Sequence, residues 1–212
     1  IVKKYNFIED VYKDVKSYSM NSLPKRYVVY YGRLGEEKGI RNLMQIWNKI
    51  DDIPIVVMGG GPLEDEFKEW SKSKENVYFL GYIEHDKCLN IVKKCEFVVF
   101  PSICYEGCSM VQIESQCLGK AIIANDLGFS KESIIDNHNG IKAELNNIDD
   151  FVKKIKYLWK QSKLIKKMGK NAPYPVRENA PMEHGWYLGY WTTSDDLGIK
   201  YDCSKNNVRF LD

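Results

Sequence analysis

Two pairs of charged residues have types and spacings that could do chemistry. In "VVFPSICYEGCSMVQIESQCLGKAIIAND", residues 98–126, Glu106 and Glu114 stand eight positions apart between two apolar runs. In "GRLGEEKG", residues 32–39, Arg33 and Lys38 share a loop with Gly32, Gly35 and Gly39. A guanidinium grips phosphate oxygens in a forked way and an ammonium acts as a point charge, so this loop suits a diphosphate. The plain alternatives are a charged surface loop and a pair of solvated glutamates.

What these residues can do depends on the elements that carry them. "RYVVYYG", "IPIVVMGGGP", "NVYFLGY", "EFVVFPS" and "KAIIAND" read as five strands, each a continuous apolar run. Between them "EKGIRNLMQIWNKI", "PLEDEFKEWSKS", "HDKCLNIVKKC" and "SMVQIESQCLG" have helical spacing. Pro62 suits the first turn of its helix, and a glycine closes the last of the four. "IDDFVKKIKYLWKQ" and "LIKKMGK" add two helices near residue 170. Apolar strands alternating with helices predict a doubly wound, Rossmann-like α/β domain whose parallel sheet is covered on both faces.

In such a sheet ligands bind beyond the carboxyl ends of the strands. The informative junctions are "GRLGEEKG", "GGGP", "GYIEHD" and "PSICYEGCSM". The last opens a helix whose free N–H groups at Ser109, Met110 and Val111 could take phosphate oxygens. Glu106 then lies before the helix and Glu114 in its second turn, roughly 8 Å apart along the axis. Carboxylates on both sides of an anion site suit a ligand with hydroxyls at both ends of a diphosphate, the shape of a nucleotide sugar.

The chain has 212 residues, 44% hydrophobic, enough for one substantial core and a small second unit. Its net charge of +2 gives no case for nucleic acid, and lysine runs such as "IKKMGK" read as solvated helix faces. No apolar run reaches the roughly 20 residues of a membrane helix, and "IVKKYNFIED" lacks signal-peptide character. Six cysteines without a CxxC pair read as free thiols in a reducing compartment. His85 and His138 read as surface-loop residues, and Cys104 and Cys108 as packing residues.

"GRLGEEKG" with Arg-x4-Lys, "VVMGGGP", "NVYFLGYIEHDK" and the stretch with Glu-x7-Glu together resemble the C-terminal, donor-binding domain of retaining GT-B glycosyltransferases of the group-1 (family 4) class. The resemblance runs from about Tyr5 to Ala172, and "YNF" resembles the passage between the two domains of such enzymes. It implies a nucleotide-sugar-binding domain over residues 1–171, the second half of a GT-B fold. With a start at Ile rather than Met, the acceptor-binding domain would be absent from this chain.

The resemblance further implies that Arg33 and Lys38 neutralise the donor diphosphate as the glycosyl bond breaks, with no metal and no cofactor needed. Glu106, with Gly107 and Cys108, would face the donor sugar, and Ser109, Met110 and Val111 the phosphates. Glu114 would take the ribose hydroxyls, the backbone around Tyr82 and Ile83 would border the base, and Gly32 and Gly60 would let backbone approach the ligand. The family often has an aromatic and a glycine where Cys108 and Ser109 stand; a serine fits there as a helix N-cap. On this assignment Glu106→Gln should leave free nucleoside diphosphate affinity within about twofold, a fraction of the 1.4 kcal/mol that tenfold represents.

The expected activity is transfer of a sugar from a UDP- or GDP-sugar to a glycan or lipid-linked acceptor. The setting would be cytoplasmic, extending to the inner face of a membrane through peripheral association. A non-catalytic nucleotide-sugar-binding subunit or sensor that needs a separate acceptor-binding chain, and an epimerase of the same two-domain fold, are the alternatives. Residues 172–212, with Pro173, Pro175 and Pro181 and the aromatic "GWYLGYWTT", depart from the family, whose last helix crosses back to the first domain. They read as a strand pair packing on the main domain, a partner surface or the start of another unit.

Overall fold

The computed structural model describes residues 22–172, together with the backbone of four short strands at residues 4–6, 188–189, 199–202 and 207–210. Strand β1 (Lys4–Asn6) is thus within the described residues. The main sheet comprises β2 (Val28–Tyr31), β3 (Ile55–Met58), β4 (Val77–Gly81), β5 (Phe97–Phe100), β6 (Ala121–Asn125) and β7 (Gly140–Ala143). All neighbours pair in parallel, in the order β4-β3-β2-β5-β6-β7. Two further pairs are antiparallel: β1 with β8 (Leu188–Gly189), and β9 (Ile199–Asp202) with β10 (Asn207–Phe210). The second pair lies within residues 199–210, and the prolines at 173, 175 and 181 lie outside the described residues.

The helices are α1 (Ile40–Trp47), α2 (Glu64–Ser71), α3 (His85–Lys94), α4 (Met110–Cys117), α5 (Phe129–Ser133), α6 (Ile148–Trp159) and α7 (Ser162–Asn171). Strand side chains alternate between two buried layers, which is why the strands read as unbroken apolar runs. Val28, Tyr30, Ile55, Val57, Phe97 and Val99 face one layer with Leu43 and Trp47 of α1, Phe67 of α2, and Ile155 and Met168 of α6 and α7. Val29, Tyr31, Val56, Val98 and Ile122 face the other, with Cys88 and Ile91 of α3. Trp47 is fully buried and its Nε1 donates to the Ile53 carbonyl at 3.1 Å.

The sequence reading finds five of the six sheet strands. It passes over β7, whose Gly-Ile-Lys-Ala is not a continuous apolar run, and α5, which at five residues is too short to display a helical period. Two boundaries also move. Pro62 sits in a turn before α2, which starts at Glu64. The helix expected across residues 37–50 is split into a 3-10 turn, Glu36–Lys38, and α1 by Gly39, whose φ is 70°. A Cβ at Gly39 would lie 2.0 Å from the Pro101 carbonyl oxygen, so the β2 and β5 loops meet at a spacing only glycine permits.

The connection reverses direction across the sheet between β2 and β5, giving a topological switch point at their carboxyl ends. Both candidate charge clusters of the sequence follow these two strands.

Candidate functional site

A cleft of about 350 Å³ opens at the carboxyl edge of β2, β3 and β4. Its lining includes Gly32, Arg33, Gly60, Tyr82 and Ile83, all expected at the site, and adds Tyr31, Met58, Gly59, His85 and Cys88. The floor is tight backbone. Leu34 donates its N–H to the Gly60 carbonyl at 2.8 Å, and a Cβ at Gly59 (φ 131°) would fall 1.9 Å from the Gly32 carbonyl oxygen. The glycines of these two loops therefore serve loop-to-loop contact as well as room for a ligand.

Helix α4 points its start at this floor. A Cβ on Gly32 would sit 3.7 Å from Val111 Cγ2. The Tyr31 hydroxyl donates to the Val111 carbonyl at 2.8 Å and lies 3.0 Å from Ser115 Oγ. Burial, then the charge of Glu114, holds the Tyr31 phenol well above its ordinary pKa, so it remains a neutral donor that locks α4 to β2. On the far side of α4, the Gln112 side-chain amide donates to Ser130 Oγ at 2.7 Å and accepts from Ser133 Oγ at 3.2 Å. Ser109 has the extended backbone of an N-cap, but its hydroxyl makes no capping bond, which corrects the expectation from residue type. The Ser109 carbonyl accepts from the Gln112 and Ile113 N–H groups, both at 3.1 Å, so the N–H groups aimed out of the helix start are those of Met110 and Val111.

The two glutamates have different partners. Glu106 Oε1 receives Lys38 Nζ at 2.7 Å and lies 2.9 Å from Ser102 Oγ and 3.7 Å from Cys104 Sγ. Lys38 and Glu106 were expected to act at separate parts of a donor; the structure joins them in one ion pair whose side chains are 28% and 12% exposed. Glu114 Oε1 is 3.0 Å from His85 Nε2. His85 is thus no isolated loop residue: it is the first residue of α3, brought beside Glu114 at the rim of the cleft. Arg33, with its side chain 64% exposed, reaches Glu37 only at 3.8 Å. Its loop is held by the Tyr30 hydroxyl, which donates to the Arg33 carbonyl at 2.7 Å.

The loop bearing Glu106, Gly107 and Cys108 is anchored from both ends. Asn125 Nδ2, at the end of β6 and buried, donates to the carbonyls of Pro101 at 3.0 Å and Ser102 at 2.9 Å. The Ile103 N–H donates to the Glu37 carbonyl at 3.0 Å, and the Phe129 N–H donates to the Glu106 carbonyl at 2.9 Å. Sequence reasoning misses Asn125 and His85. The available signal is position, since both lie at a strand-to-helix junction on the ligand edge. Cys88 is buried beneath the cleft, where burial and then the Glu114 charge push its thiol to about 12. Of the cysteines among the described residues, Cys88 and Cys95 are buried and Cys104, Cys108 and Cys117 partly exposed, and none of the five is in a disulfide. His138 lies on an exposed loop, as its sequence context suggests.

A doubly wound parallel sheet with a glycine-floored cleft and a helix start at its switch point defines a Rossmann-like α/β protein. Within that class, the profile of the "Glycosyl transferases group 1" family matches residues 17–174, and the chain belongs to this family. It is 30% identical over 145 residues to an uncharacterized glycosyltransferase of Methanocaldococcus jannaschii, covering 68% of this chain and 41% of that protein. It is 25% identical over 160 residues to the D-rhamnosyltransferase WbpZ of Pseudomonas aeruginosa, covering 74% and 42%. The crystal structure of Anabaena HepE in complex with UDP superposes with a TM-score of 0.63 at 19% identity, over 70% of this chain and 43% of that one. The chain thus spans about two fifths of the length of the curated relatives it matches. Among the described residues no helix is long and apolar enough to cross a membrane.

Proposed function

We propose that this chain binds the nucleoside diphosphate sugar donor of a retaining glycosyltransferase, whose acceptor is a glycan or a lipid-linked glycan. The observation that carries the reading is the placement of two ion-competent pairs, Lys38–Glu106 and His85–Glu114, beside one helix start at the β2–β5 switch point. In this reading the diphosphate lies against the Met110 and Val111 N–H groups, with Lys38 and Arg33 neutralising its charge and no metal ion called upon. Glu114, steadied by His85, accepts the ribose hydroxyls. Tyr82 and Ile83 border the base. Glu106 meets the donor sugar.

Catalysis by this arrangement is electrostatic. As the glycosyl bond breaks, negative charge grows on the departing diphosphate, and cations already fixed nearby stabilise it without reorganising solvent. Lys38 must shift its ammonium from Glu106 toward phosphate, which leaves the Glu106 carboxylate available to the sugar just as the donor arrives. Residues 1–171 form the donor-binding unit, and the whole enzyme works in the cytoplasm, with peripheral contact to the membrane that carries its acceptor. Thermal shift with UDP, GDP, ADP and their sugars tests the reading. One nucleoside diphosphate should stabilise the chain by about 2.7 kcal/mol at 100 times its Kd, and Lys38→Ala should abolish most of that shift. No stabilisation by any nucleoside diphosphate would overturn it.

A further inference from the structure

The span Phe151–Asn171 contains eight lysines and no acidic residue. The chain as a whole has 31 basic and 29 acidic residues, so outside this span 23 basic residues face 29 acidic ones, a net charge of −6 against +8 within it. In sequence these lysines read as ordinary solvated faces. Their arrangement in the fold is more specific.

On α6 the exposed positions Lys153, Lys156, Tyr157 and Lys160 recur at helical spacing, opposite the buried Phe151, Val152, Ile155 and Leu158. On α7 the exposed Lys163, Lys166, Lys167 and Lys170 do the same, opposite Ile165 and Met168. The two helices are consecutive and packed on each other, so the stripes form one surface. Asp150, at the start of α6, pairs with Lys154 on the flank at 2.7 Å and also acts at longer range on Lys153. Among the described residues none of the seven exposed lysines forms an ion pair, although seven like charges on two short helices repel one another.

We propose that the α6–α7 face docks on an anionic lipid bilayer. Clusters of four to eight basic residues on an amphipathic helix are attracted to acidic headgroups by roughly 1 kcal/mol per residue. All eight cations are lysine. A flexible, hydrated ammonium suits laterally mobile headgroups, whereas a fixed phosphate backbone is better met by the planar fork of arginine. Tyr157, 48% exposed amid the lysines, gives an amphipathic ring of the kind that settles at headgroup depth, and it is a single ring rather than a base-stacking platform. The opposite charge of the remaining chain makes the docking directional: the lysine face turns to the bilayer and the acidic remainder away. The α6 and α7 helices cover one face of the sheet and α3 the other, so a bilayer beneath α6–α7 leaves the His85 rim open to solvent.

This face is separate from the donor cleft, and its test needs no nucleotide. The full chain is sedimented with vesicles of phosphatidylcholine and with vesicles of equal parts phosphatidylcholine and phosphatidylglycerol, at low and at high salt. Binding should require phosphatidylglycerol and vanish at high salt, where the Debye length falls to about 3 Å near 1 M. Joint Lys163→Gln, Lys166→Gln and Lys167→Gln should weaken it by roughly 100-fold, three lysines at about 1 kcal/mol each. Joint Lys87→Gln, Lys93→Gln and Lys94→Gln, the same charge change on α3, should leave it within a few fold. Failure to bind acidic vesicles, or equal loss in both triple variants, would overturn the proposal. So would tighter binding to a single-stranded oligonucleotide than to the vesicles.

Discussion

Glu106 and Glu114 look like a matched pair in the sequence, and the fold makes them unlike. Glu106 sits in a loop tied to β6 by Asn125 and to the β2 loop through Ile103, and one of its oxygens gathers an ammonium, a hydroxyl and a thiol. Glu114 sits on a regular helix, buried, and its neighbour is an imidazole from α3. The first is a carboxylate already engaged with the cation proposed for the donor diphosphate. The second is a nearly enclosed acceptor with a ring to orient it. Residue type and spacing say nothing of this, because the partners come from 68 and 29 residues away.

The strongest way to break the comparison is through the cation. Lys38→Ala should weaken nucleoside diphosphate binding by roughly 1.5 to 3 kcal/mol, the scale of a charge-assisted hydrogen bond, and leave nucleoside binding almost unchanged in calorimetric titration. Equal losses for both ligands would take Lys38 out of the phosphate site. The same change at Arg33 should cost less, since that side chain is more exposed and lies 3.8 Å from its nearest acid.

Asn125→Ala separates the two ends in a different way. It leaves two loop carbonyls without their donor, which should lower stability by about 1 to 3 kcal/mol in urea unfolding. Nucleotide-sugar affinity should fall more than nucleoside affinity, because the loop of Glu106 loosens while α4 stays clamped by Tyr31 and Gln112. Smaller again is His85→Ala. Losing the ring that orients Glu114 should weaken every nucleoside-containing ligand by roughly threefold to tenfold, up to the 1.4 kcal/mol that tenfold represents. An unchanged affinity would make the His85–Glu114 contact incidental.

Much of the fold is legible because each buried strand is a continuous apolar run and each long helix has an amphipathic period. In the main domain β7 escapes because Gly-Ile-Lys-Ala breaks the apolar run with a lysine, and α5 because five residues display no helical period. The split at Gly39 escapes for a different reason: Pro101, which forces it, is 62 positions further along the chain. In the site, Gly32, Arg33, Gly60, Tyr82 and Ile83 are brought to one cleft from the loops that the sequence reading names, since topology alone carries strand ends to one edge. Which side chain meets which is not legible. The Lys38–Glu106 pair, the His85–Glu114 pair and the Asn125 anchor each depend on how β2, β5 and β6 lie side by side, a fact of sheet order and not of local spacing.

The central claim, one carboxylate for each end of the donor, is tested most directly by titrating Glu106→Gln and Glu114→Gln with a nucleoside diphosphate and with its sugar conjugate. The Lys38–Glu106 pair changes what the sequence suggests for the first variant: loss of the carboxylate charge frees the ammonium for phosphate. Glu106→Gln should therefore bind the free diphosphate as well as the parent or up to about fivefold better, within 1 kcal/mol, and lose the added affinity that the sugar confers. Glu114→Gln should weaken both ligands by a similar factor of about ten, or 1.4 kcal/mol. Equal losses for both ligands in both variants would contradict the account.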